Sequence, residues 1–300
     1  MRVSLRLGVR GRHSSAYLKR REDPVAEDPD IVAEVSEKGG VGKTSLTAGL
    51  IAVAAEYGLR VAGVDLDPRA TLTDELGVTD PKKSVNDIYF VDPEERPRDP
   101  AEIARETLVR AGKHWPSNAW VLPAVRKFGN RENDQTTGME FRLKRALWGL
   151  RDLVDIVFID APPRPGGKIV GSALIASRKV LIPSTLAKDG YLGVREAMAT
   201  IEHYTTPGGL NEALEIAGIV RSIVPTGKKF TQVHHHWTEQ LQDRWGDLVL
   251  PTVLPDYSVR EICRTGSMPI TAAPGREAKR LISGYRELLH HTVPTLEEKR

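Results

Sequence analysis

At 300 residues, with 40% hydrophobic and 28% charged positions, the chain can fill one large core or two modest ones, and it reads as one extended α/β domain. The net charge of +3 and the sequence pI of about 8.9 are compatible with an anionic partner without demanding one. No apolar run approaches the roughly 18 residues of a membrane span, and the Arg-rich start lacks the apolar segment of a signal peptide. The single cysteine, Cys263, forms no internal disulfide and by itself no iron–sulfur or structural zinc site. A cytoplasmic protein with no membrane partner is expected.

Residues 1–30 divide into a basic arm, with Arg2, Arg6, Arg10, Arg12, Lys19, Arg20 and Arg21, and an acidic, Pro-containing stretch over 22–30. Blocks of like charge with little to bury predict a flexible tail, read as solvated before it is read as a nucleic-acid-touching arm. From Ile31 short apolar runs alternate with helical stretches, the pattern of a mostly parallel sheet with helices on both faces. Strands are predicted over 31–35, 61–64, 155–159, 180–182, 216–223 and 248–253. Helices are predicted over 44–57, 140–153, 190–204, 231–245 and 276–289. Residues 81–117 are polar and proline-bearing, and give only a helix around 101–111. The domain is expected to span 31–290, with a second tail over 291–300.

The decisive segment is Glu37-Lys38-Gly39-Gly40-Val41-Gly42-Lys43-Thr44, set between an apolar strand and a helix. Glycines let backbone N–H groups approach phosphate oxygens closely, and the helix start points its partly positive end at the same anion. Lys43 matches the lysine that contacts β- and γ-phosphates, Thr44 offers a hydroxyl to Mg²⁺, and Ser45 continues the nucleotide-binding turn. Val64-Asp65-Leu66-Asp67-Pro68 then delivers two carboxylates at a strand end, and Ile159-Asp160-Ala161-Pro162-Pro163 delivers a third before a rigid double proline.

Lys38-Gly39-Gly40-Val41-Gly42-Lys43-Thr44 resembles the deviant Walker A motif of the ParA and MinD superfamily of P-loop ATPases. The resemblance implies that Lys38 reaches the phosphates of a partner subunit in a nucleotide-bound homodimer. It implies that Asp67 orients the attacking water, that Asp65 stands behind the Mg²⁺ waters, and that Asp160 holds a Mg²⁺-bound water as the Walker B residue. Where the family usually has Gln, this chain has Arg69, which puts local partner contacts in doubt. Farther on, Thr252-Val253-Leu254-Pro255 and Gly266-Ser267-Met268-Pro269 follow the family layout, which implies that Pro255 borders the adenine. Lys228, Lys229, Arg260, Arg264, Lys279 and Arg280 are the candidate contacts to DNA phosphates, because relatives bind DNA without sequence preference through basic residues in this half.

Other signals read as structural. His234, His235 and His236 are consecutive on a helix, about 100° apart, and cannot all face one ion. The five tryptophans do not interleave with basic residues as a base-stacking platform would, and read as packing. The apolar face of the last helix reads as docked on the sheet, although a membrane-targeting helix has a similar pattern.

The resemblance implies a partition ATPase: ATP and Mg²⁺ close a homodimer, the dimer binds DNA nonspecifically, and a ParB-like centromere-binding partner stimulates hydrolysis. The alternative is a MinD-like switch acting on a membrane or protein assembly. A third class, an amide-forming biosynthetic ATPase, needs a second substrate site that nothing in the sequence reveals. An iron protein is excluded by its need for two cysteines per subunit. The roughly thirty residues before the first strand are expected to be too few for an additional helix-turn-helix domain.

Overall fold

The structure, a computed structural model, describes residues 28–92, 94–164 and 166–293. Residues 1–27 and 294–300 lie outside the described residues, and with them most of both expected tails. Among the described residues eight strands form one sheet in the order β3-β4-β2-β5-β1-β6-β7-β8. They are β1 (Asp30–Glu34), β2 (Val61–Asp65), β3 (Val109–Arg110), β4 (Ala119–Leu122), β5 (Ile156–Asp160), β6 (Lys179–Ser184), β7 (Glu215–Val224) and β8 (Val249–Pro255). Every pairing is parallel except β3 against β4.

The helices are α1 (Lys43–Glu56), α2 (Thr71–Glu75), α3 (Val85–Tyr89), α4 (Pro100–Thr107), α5 (Arg142–Trp148), α6 (Lys168–Ala176), α7 (Lys188–Thr205), α8 (Gln232–Trp245), α9 (Val259–Thr265) and α10 (Arg276–Thr292). Alternate strand residues feed two separate cores, as a sheet covered on both faces requires. Val157 and Ile159 of β5 pack with Tyr89, Leu143, Ile169 and Val194 on one face. Ile156 and Phe158 pack with Leu50, Leu281 and Tyr285 on the other. The expected α/β class with helices on both faces holds.

Several boundaries move. The first strand begins one residue earlier than expected, at Asp30, whose N–H binds Asp155 O at 3.1 Å. The helix expected over 101–111 stops at Thr107, where Leu108 turns extended (ψ 118°), and Val109–Arg110 instead pairs with a strand that was not foreseen, β4. The helix expected over 140–153 begins as a 3-10 turn and ends at Trp148, and the next residue, Gly149, lies against Ala101 so closely that a Cβ would stand 2.6 Å from its Cβ. The last helix runs on to Thr292 with Leu281, Tyr285, Leu288 and Leu289 buried against the core of α1. Its apolar face is thus spent on docking. Among the described residues no helix is long and apolar enough to cross a membrane.

Candidate nucleotide-phosphate site

β1, β5 and β2 run side by side, and their carboxyl ends carry the chemistry. The glycine-rich turn leaves β1 and closes on the first turn of α1. Gly40 (φ 76°) and Gly42 (φ 84°) lie in the left-handed region, where a residue with a Cβ pays roughly 1–2 kcal/mol. Gly42 is the N-cap of α1 and offers no side chain. The free N–H groups at Lys43, Thr44 and Ser45 are therefore left for an anion at the positive end of the helix. Ile223 leans over Gly42 and itself sits at φ 53°, a strained position for a β-branched residue of the kind that collects at ligand sites.

Lys43 is buried, and its Nζ donates to Ser36 O at 3.2 Å and to Lys38 O at 3.1 Å. Burial lowers its pKa from the usual lysine value, against the pull of Asp160 and Asp67. Thr44 Oγ1 donates to Asp160 Oδ2 at 2.6 Å. Asp160 Oδ1 is buried with no hydrogen-bond partner among the described residues. Burial, together with the nearby Asp65 carboxylate, pushes Asp160 up to about 8. A cation answers both deficits, since it supplies the missing partner and favours the ionised carboxylate. One carboxylate and one hydroxyl suit Mg²⁺, which keeps several waters and does not need an all-protein cage. Among the described residues no group of three or more His, Cys, Asp or Glu could hold a metal ion.

Asp65, expected behind the Mg²⁺ waters, is fully buried at the end of β2. Its Oδ1 accepts from Asp67 N at 3.0 Å, and its Oδ2 accepts from Thr73 N at 2.9 Å and Thr73 Oγ1 at 2.7 Å. The buried carboxylate, raised to about 6 by desolvation, organises the loop that presents Asp67. Asp67 is likewise buried and carries a salt bridge from Arg69. A residue that sequence reasoning missed completes the row: Glu34 of β1 stands in register with Asp160, which in turn stands in register with Asp65. Glu34 Oε2 accepts from Thr47 at 3.0 Å, while Oε1 has no partner among the described residues. Burial raises its pKa well above the usual carboxyl range. The signal for it was a charged residue inside an apolar strand.

Lys43, Thr44, Ser45, Asp67 and Asp160 share the wall of one cavity of about 240 Å³ with Gly40, Gly42, Arg69, Thr71, Glu75, Ile223 and Arg264. Lys38, Gly39, Val41 and Pro255 lie outside that wall. Gly39 is exposed on the loop, and Val41 turns into the core while its carbonyl accepts from Ser222. The stem of Lys38 lies on Gly193 of α7, where a Cβ would come within 2.9 Å of it. Pro255 closes β8 opposite Val224, at the same end of the sheet.

The six basic residues expected to contact DNA do not form one set. Arg260 is half-buried and donates to Tyr285 Oη at 3.0 Å. Arg264 lines the phosphate cavity. Arg280 donates to Tyr257 Oη at 3.0 Å along its exposed stem. Lys228, Lys229 and Lys279 are exposed, the first two on the turn after β7 and the third on α10. The histidine triplet is also accounted for, with His234 Nδ1 accepting from Thr231 N at 3.0 Å to cap α8 and His235 set edge-on against Phe230.

A family model described as an AAA domain matches residues 30–216. The sporulation initiation inhibitor protein Soj of Bacillus subtilis is 31% identical over 229 residues, covering 75% of this chain and 83% of the relative. The chain belongs to the ParA/MinD family of P-loop ATPases. A second family member, the chromosome-partitioning ATPase Soj of Thermus thermophilus, is 30% identical over 277 residues, or 89% of this chain and 96% of the relative. Among solved structures, cobyrinic acid a,c-diamide synthase of Mycobacterium smegmatis, with bound ATP analog and magnesium, matches with a TM-score of 0.69 at 26% identity over 88% of this chain and 95% of that one. Membership makes this chain an ATP hydrolase.

Proposed function

We propose that this chain is a partition ATPase, in which bound ATP draws two copies into a dimer that holds DNA and hydrolysis releases them. The observation that carries the reading is the cavity of about 240 Å³ whose wall Lys43, Thr44, Asp67 and Asp160 share beside the start of α1. Lys43 and the N–H groups of the first turn would bind and neutralise the β- and γ-phosphates. Thr44 and Asp160 would hold Mg²⁺, which when bound offsets the charge between those phosphates. Asp67, held by the loop that Asp65 organises, would orient the attacking water. Lys38, outside the cavity wall on the Gly193 surface of α7, is free to serve a second subunit. The partition relatives support this reading, and a ParB-like stimulating partner comes with it. The MinD-like alternative is weakened because α10 buries its apolar face on α1.

DNA contacts would fall on exposed lysines such as Lys228, Lys229 and Lys279. Contacts of this kind are made mainly to phosphates, so binding should depend on ATP, fall steeply with salt and vary little with sequence. A mobility-shift titration with ATP, ADP or no nucleotide tests it. Equal binding in all three, or ATP-dependent binding to anionic vesicles with none to DNA, would overturn the partition reading.

A further inference from the structure

The loop from β2 to α2 brings an ion pair to the mouth of the phosphate cavity. Asp67 Oδ1 accepts from the Arg69 backbone N–H at 2.9 Å and from its Nε at 3.3 Å, while Oδ2 accepts from Nε at 3.1 Å and Nη2 at 2.7 Å. The Asp67 side chain is only 9% exposed, and that of Arg69 is 70% exposed. One partner is thus fixed in the cavity wall and the other lies over the opening. Three N–H groups bind Asp67, with Nε shared between its two oxygens, so Arg69 takes up most of its acceptor capacity. The guanidinium is differently placed, since it carries five N–H donors in a rigid fork and its Nη1 is not spent on Asp67. A phosphate is a stronger claimant on such a fork than a carboxylate, because it offers more negative charge with the same bidentate geometry.

We propose that Arg69 is a further catalytic residue: when Mg-ATP fills the cavity, its guanidinium passes from Asp67 to the terminal phosphate. The exchange does two things at once. It sets a positive charge on the transferring phosphoryl group, and it frees Asp67 to orient the attacking water. The water oxygen then bonds to the γ-phosphorus as the bond to the ADP oxygen breaks. ADP leaves with that electron pair, and the water proton ends on the released phosphate. ADP has no γ-phosphate, so the Asp67–Arg69 pair stays closed around it. This inference rests on the ATPase reading of the cavity.

The test compares steady-state ATP turnover and ADP affinity, the latter by displacement of a fluorescent nucleotide, in Arg69→Ala, Arg69→Gln and Arg69→Lys, with Lys43→Ala as reference. Arg69→Gln keeps a neutral donor for Asp67 and removes only the charge. Loss of a transition-state contact predicts that kcat falls at least about tenfold in the Ala and Gln variants, with ADP affinity within about threefold of wild type. Arg69→Lys should recover part of the rate, since a point charge replaces a fork. Wild-type turnover in Arg69→Ala while Lys43→Ala is inactive would overturn the inference and leave the ATPase reading standing. Wild-type turnover in Arg69→Gln alone would reduce Arg69 to a support for Asp67 and equally overturn it. Normal turnover in Lys43→Ala as well would overturn both.

Discussion

Glu75 ends α2 with its carboxyl buried between the phosphate cavity and a pocket of about 20 Å³ bounded by Trp115, Cys263 and Tyr285. Its Oε2 has no hydrogen-bond partner among the described residues. Burial pushes its pKa up to about 7, against the lowering effect of Arg260 and Arg264. An acid whose folded pKa is raised takes up a proton on folding, so its stabilising contribution is complete below the unfolded value of about 4.5 and is lost as pH rises through about 7. Within that window stability should fall by up to roughly 1.4 kcal/mol per pH unit from this group. Glu75→Gln keeps the shape and removes the titration. Melting temperatures followed from about pH 5 to about pH 8 should therefore decline more steeply for wild type than for the variant. Parallel curves would mean that Glu75 is ionised in the fold. Glu75 and Glu34 are the residues least legible from the sequence, because a carboxyl in an apolar segment reads as surface until the packing around it is known.

At the scale of elements, α1 and α10 share a contact on which the phosphate loop leans. Gly49 lies under the Tyr285 ring, where a Cβ would stand 2.3 to 2.5 Å from three ring atoms. The Tyr285 hydroxyl donates to Ser45 O at 3.2 Å, in the first turn of α1. Gly49→Ala would raise helix propensity, yet it drives a methyl into a filled core. Overpacking of this kind costs about 1–3 kcal/mol, which for a domain of this size lowers the melting temperature by roughly 2–4 °C per kcal/mol. Chemical denaturation should show a lower midpoint, and an unchanged one would mean that the ring swings aside freely. The last helix was legible from its apolar stripe, whereas α1, buried almost all round, was legible from its composition. The short β3–β4 pair was not, since a two-residue antiparallel strand is stabilised by its partner more than by its own composition.

At the scale of the whole molecule, the ATP-bound dimer expected of the family turns on Lys38. The side chain contributes nothing to the wall of its own cavity, so Lys38→Ala should leave ATP binding by the monomer largely intact and abolish ATP-dependent dimerisation. Light scattering with ATP and with ADP measures this. ATP-dependent dimers in the variant would remove the trans role. The phosphate-binding octet, the Asp65-Leu66-Asp67-Pro68 step and the Asp160 strand end were readable in one dimension, because a P-loop is local: its glycines, lysine and helix start are consecutive. Their order along the chain also carried the family and its ATPase chemistry. Only the tertiary structure decided which carboxylates stand together, since Asp65, Asp160 and Glu34 come from three strands and meet through parallel register. It likewise divided the basic residues of the C-terminal half, drawing Arg264 to the cavity and Arg260 onto Tyr285. Charge is a property of the sequence, but the partner that a charge finds depends on which elements pack together, and that is settled in three dimensions.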